Sequence, residues 1–151
     1  ISVLYKPMDL VGGDYYDFCV IDSHRIGILI ADVAGHGVSA AIIASMLSIA
    51  FKNHTSHAES PETMLSRINH TMLGKCGNMF LTAAYMVIDT KSKFIQFANA
   101  GHPFGYIYRS KSDEFFPCDS KGRLLGVFPE LHAAKIDIAL EAGYSIILFS
   151  D

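Results

Sequence analysis

Residues 12–37, GGDYYDFCVIDSHRIGILIADVAGHG, decide how the rest of the chain is read. Residues 15–21 and 25–32 are rich in aromatic and β-branched side chains, the composition of half-buried strands. Asp22-Ser23-His24 between them has turn chemistry. A hairpin in register about Ser23 pairs residues whose numbers sum to 46, which sets Asp14 opposite Asp32. Their Cβ atoms would then lie roughly 4.5–5.5 Å apart on one face, where like charges destabilise a sheet. That face continues through Tyr16, Phe18, Val20, Ile26, Ile28 and Ile30, so the carboxylates stand at the lip of an apolar surface. Such a pair shares a proton, with one pKa raised, or shares a cation, unless the register is a different one. Ligation by oxygen alone favours a hard ion, Mg²⁺ or Mn²⁺. Asp17 falls on the other face, beside Leu29, and is read as supporting the ligands from outside or as structural.

The 151 residues fit one domain that is half hydrophobic and 18% charged, which excludes a disordered chain. A net charge of −3 and a pI near 6.1, with no Lys/Arg cluster, argue against a nucleic-acid surface. The longest apolar run, 38–51, contains three serines and is too short to span a bilayer, so no membrane contact is expected of this domain. The three cysteines, Cys19, Cys76 and Cys118, form no CxxC and fit free thiols in a reducing cytosol, so the expected compartment is cytoplasmic. The chain opens without Met and closes on an apolar strand, which reads as a piece of a longer protein.

Residues 1–5 are expected to form a short strand ended by Pro7. After Asp32, Val33-Ala34-Gly35-His36-Gly37 links a strand to a helix running to about Lys52, an arrangement that presents backbone N–H groups to anions. His36 is read as a contact to a phosphate or a metal-bound water, or as a loop cap. The helix is apolar almost all round, so burial on every side is expected. His54 and His57 lie on a polar loop and read as surface. Ser60-Pro61-Glu62 starts a second helix, with Met64, Leu65, Ile68, Met72 and Leu73 as its stripe and Gly74 as its stop. Period-two patterns then mark strands at 80–89, 93–98, 104–109, 114–118, 134–140 and 145–150, the last two joined at 141–143. Asn99-Ala100-Gly101-His102-Pro103 interrupts them. Two helices between hairpin-linked strands give an α+β class with antiparallel sheets.

Asp14, Asp32 with its glycine loop, the Asn-Ala-Gly-His-Pro break and a strand ending in Asp151 suit phosphoester hydrolysis by ions held on a few carboxylates. At GGDYYD, DVAGHG, NAGHP, the Leu-Leu-Gly of GRLLG and the terminal LFSD, the sequence resembles the bacterial metal-dependent serine/threonine phosphatases. These form the type 2C-like (PPM) group, in the branch of stage II sporulation protein E and RsbU. The resemblance covers nearly the whole chain in order.

It implies a four-layer α/β-β/α sandwich, C-terminally incomplete here, with two Mn²⁺ or Mg²⁺ ions at one end. By position, Asp32 matches the aspartate bridging both ions, and Asp14 and the Val33 carbonyl match ligands of one. Asp151 matches a ligand of the other. Gly35, His36, Asn99 and His102 lie in motifs near the site, where hydrogen bonds that shape the loops are the favoured role of Asn99 and His102. The implied substrate is phosphoserine or phosphothreonine on an anti-sigma-factor antagonist of the STAS fold, and a homodimer is an allowed state. The family continues past Asp151 to further ligand aspartates. A phosphate-clamping arginine is not obvious. Two alternatives remain at this level: a phosphatase-like module that binds a partner without catalysis, and a hydrolase of small phosphate esters.

Overall fold

The computed structural model describes residues 1–6, 11–55 and 60–150. Strands β1 (Tyr15–Val20) and β2 (Arg25–Val33) are followed by helices α1 (Gly37–His54) and α2 (Pro61–Met72). Six further strands follow: β3 (Leu81–Asp89), β4 (Phe94–Ala100), β5 (Gly105–Arg109), β6 (Glu114–Cys118), β7 (Lys135–Ala139) and β8 (Tyr144–Ile147). They build a five-stranded sheet in the order β1-β2-β3-β4-β7 and a three-stranded sheet in the order β6-β5-β8. All named pairs are antiparallel.

The alternation of side chains divides each central strand between two cores. Leu29, Ala31 and Val33 of β2 turn to the helices and pack with Leu47, Phe51, Leu65, Ile68 and Tyr85. Ile28 and Ile30 turn the other way, to a second core of Ala84, Met86, Ile95, Phe97 and Ile107 between the sheets. Three of the four expected layers are therefore built by the described residues: helix pair, five-stranded sheet, three-stranded sheet.

Four expectations need correction. Residues 1–6 form no strand, and Ile1 and Leu4 are exposed. Helix α1 is not buried all round: Ala40, Ile43, Ala44, Leu47, Ala50 and Phe51 are covered, while Val38, Ile42 and Ile49 face outward. The hairpin face of Tyr16, Phe18 and Val20 is the less covered one, because the inter-sheet core engages β2, β3, β4 and β7 but not β1. Val20 is 79% exposed. Finally, the strand expected over 145–150 is shorter: β8 is Tyr144–Ile147. The turn at 141–143 carries the chain from one sheet to the other.

Candidate metal centre

The hairpin register is the one that the numbering gives: Tyr15 pairs with Ala31, Asp17 with Leu29 and Val20 with Ile26. Asp22 fixes the turn, its Oδ1 accepting from the amides of His24 (2.8 Å) and Arg25 (2.9 Å). Those bonds, with the Arg25 guanidinium, hold its carboxyl below the usual carboxylate range. At the other end the Val33 amide donates to the Gly13 carbonyl at 3.3 Å. Hydrogen-bonded and open pairs alternate along an antiparallel ladder, so Asp14 and Asp32 occupy an open pair, where side chains approach most closely. Both are half-buried. A β-carbon on Gly13 would lie 2.6 Å from the Val33 carbonyl oxygen, so glycine is what lets the backbone pass the end of β2.

Three further segments converge on this end. Thr82 stands across from Asp32 on β3, its Oγ1 at 2.8 Å from His102 Nδ1. Asn99 holds the His102 backbone on both sides, Oδ1 accepting from its amide and Nδ2 donating to its carbonyl, each at 2.7 Å. His102 Nε2 donates to the Phe149 carbonyl (3.2 Å). The Ser150 hydroxyl donates to Asp14 Oδ1 at 2.5 Å.

Of the residues singled out by sequence, Asp14 and Asp32 fall opposite each other when the register is continued from Tyr15 and Ala31 to Gly13 and Val33, and the Val33 carbonyl lies beside Gly13. Asn99 and His102 adjoin them through Thr82 and the chain end. Asp151 lies outside the described residues, as does His57. Asp17 does not join the site. It accepts from the Tyr15 hydroxyl (2.6 Å) and pairs with Lys52 Nζ (3.5 Å), tying β1 to α1. Burial and that bond to Asp17 push the Tyr15 hydroxyl up. Gly35 takes φ +110°, and His36 is the N-cap of α1 but makes no side-chain cap bond. His54 Nε2 lies 3.3 Å from Thr71 Oγ1 on α2. Sequence reading missed Thr82, Ser150 and the steric need at Gly13. The serine preceding Asp151 in LFSD was the available signal.

The donor set is oxygen only. No group of three or more His, Cys, Asp or Glu among the described residues is placed to hold a metal. Two opposed carboxylates and a carbonyl still suit Mg²⁺ or Mn²⁺, since Mg²⁺ takes only one or two carboxylates and keeps several waters.

Two face-to-face antiparallel sheets with a helix pair over the larger make this a PP2C-type fold. The chain superposes on the SiaA-PP2C domain of Pseudomonas aeruginosa with a TM-score of 0.82 at 23% identity, over 95% of this chain and 57% of that one. It superposes on the PP2C phosphatase domain and regulatory-domain fragment of SpoIIE from Bacillus subtilis with a TM-score of 0.77 at 18% identity, over 90% and 39% of the two chains. The family described as Stage II sporulation protein E (SpoIIE) matches residues 22–151, and the chain belongs to it. Asp32 falls inside that range and Asp14 before it. Similar curated proteins include phosphoserine phosphatase RsbU of Bacillus subtilis (strain 168), 33% identical over 152 residues, covering 100% of this chain and 45% of RsbU. Phosphoserine phosphatase RsbP of the same strain is 27% identical over 156 residues, covering 100% and 38%. The chain thus spans less than half the length of these relatives.

Proposed function

We propose that this domain hydrolyses phosphoserine or phosphothreonine on a protein substrate. Asp14, Asp32, the Val33 carbonyl and Asp151 would hold two Mn²⁺ or Mg²⁺ ions, with Asp32 shared between them. The observation that carries this reading is the open ladder pair of Asp14 and Asp32, two carboxylates set face to face by register. Bound there, divalent cations lower the pKa of water and offset charge developing on a phosphoryl group. The chain's own part is orientation: the Ser150 hydroxyl bonds Asp14 Oδ1 and so fixes that carboxylate.

A thiol nucleophile is disfavoured. All three cysteines are buried. Burial pushes the Cys118 thiol up to about 11 and raises that of Cys76. A thiolate is needed for attack, so a cysteinyl-phosphate intermediate is disfavoured, and the route we propose is direct hydrolysis by water. Membership of the SpoIIE family and similarity to RsbU and RsbP support a regulatory phosphoprotein as substrate, and we infer an anti-sigma-factor antagonist of the STAS fold in a partner-switching pathway. Among the described residues no helix is long and apolar enough to cross a membrane.

The test is Asp32→Asn. It should abolish Mn²⁺-dependent phosphate release from a phosphoserine peptide while leaving the circular dichroism spectrum and melting transition in place. Activity retained in a folded variant would overturn the bridging role.

A further inference from the structure

We propose that His102 is a positioning residue, a latch that sets the chain segment 148–150 at the correct distance from the Asp14–Asp32 pair. The paired part of β8 ends at Ile147, opposite Tyr106. Among the described residues no backbone ladder bond continues to 148–150. What holds this segment is side-chain chemistry: Leu148 packed on the inter-sheet core, the His102 ring on the Phe149 carbonyl, the Ser150 hydroxyl on Asp14, and the Phe149 ring stacked on Tyr106 at 6.2 Å. The residue that follows in the sequence is Asp151, the third expected ligand.

His102 suits this task because both its backbone and its ring are fixed. It is only 5% exposed, and Asn99 bonds its amide and its carbonyl together. A carbonyl oxygen can only accept, so Nε2 must carry the hydrogen shared with Phe149. In the neutral ring Nδ1 is then an acceptor, and the Thr82 hydroxyl, which also lies 3.4 Å from the Asp32 carbonyl, donates to the nearer Nδ1 at 2.8 Å. Thr82 pairs with Asp32 across the ladder. One imidazole therefore spans from the strand beside Asp32 in the five-stranded sheet to the outgoing end of the three-stranded sheet. A partner that fixes a ligand-bearing segment typically affects metal affinity about 10–100-fold when removed.

The link to metal binding rests on the proposed metal centre, whereas the latch itself does not. The experiment is backbone ¹⁵N relaxation by NMR on the protein without metal, together with Mn²⁺ calorimetry, for the wild type, His102→Ala, His102→Gln and Thr82→Val. Backbone order parameters at 148–150 should fall in His102→Ala with the β1–β2 hairpin unchanged. His102→Gln, which can still donate to Phe149, should restore part of the order. Thr82→Val, which removes the hydroxyl beside the ring and its contact with the Asp32 carbonyl, should give an intermediate effect and serves if His102→Ala does not fold. Mn²⁺ affinity should fall about tenfold or more in His102→Ala. Unchanged order parameters at 148–150 in both His102→Ala and Thr82→Val would overturn the latch. Loss of order at 148–150 in a protein whose wild type binds no Mn²⁺ would uphold the latch and overturn the metal reading.

Discussion

Gly13 is the residue at which backbone geometry and the site meet. A β-carbon there would sit 2.6 Å from the Val33 carbonyl oxygen and 3.1 Å from the Val33 Cβ, both on the strand that carries Asp32. Gly13→Ala must push the entry to β1 away from the end of β2. The backbone has little freedom to give, because the Gly13 carbonyl accepts from the Val33 amide. Overpacking of this kind costs about 1–3 kcal/mol. The displacement acts directly on Asp14, so Mn²⁺ affinity should fall further than stability alone explains. Melting curves with and without Mn²⁺ measure both quantities, and an Ala variant with wild-type melting and affinity would show that the close approach is not required. Cross-strand pairing is arithmetic once a turn is recognised, which is why Asp14 and Asp32 were legible together in the sequence. Gly13 was legible only as a turn residue, since the clash belongs to a neighbouring strand. Thr82 reaches the site through contacts with residues far apart in sequence, which no local pattern encodes, whereas Ser150 was marked only by its place in LFSD.

Helices show where composition misleads. The sequence of α1 is apolar on every side, yet the helix has one supported face. Leu47, Ala50 and Phe51 press on the sheet, while Ile42 and Ile49 are 57% and 63% exposed. Hydrophobic content reports which residues tolerate burial, and only packing partners determine which of them are buried. The two faces should therefore respond differently to truncation. Leu47→Ala removes a fully buried side chain and should cost about 2–5 kcal/mol. Ile42→Ala should stay within about 0.5 kcal/mol, as at other surface sites. Urea unfolding separates these values, and a large loss at Ile42 would mean that something covers this face in solution. Helix α2 was more legible because its apolar residues form a single stripe, and its buried Met64, Leu65, Ile68 and Met72 are those the periodicity marks. Asn69, also buried, anchors the long loop after β6, accepting from the Gly126 amide and donating to the Phe128 carbonyl.

At the level of the whole molecule, the site is assembled by two sheets rather than by one. Period-two alternation identifies strands but carries no record of partners, so β7 and β8 were legible as strands while their division between sheets was not. The division matters because β8 leads into 148–150, and its neighbour β5 is fastened to the inter-sheet core by Ile107. Ile107 is 3% exposed and Leu47 is fully buried, so their alanine variants should lose comparable stability, about 2–5 kcal/mol each. Their effects on the proposed metal centre should differ. Leu47 packs in the helix–sheet core, behind β2, with the hairpin pairing intact in front of it. Ile107→Ala loosens the sheet that delivers Phe149 and Ser150 to Asp14. Mn²⁺ affinity of the folded protein, measured well below either melting transition, should therefore fall in Ile107→Ala and remain close to wild type in Leu47→Ala. Equal affinities in the two variants would mean that the hairpin alone sets the strength of metal binding, and that the second sheet contributes only to the core.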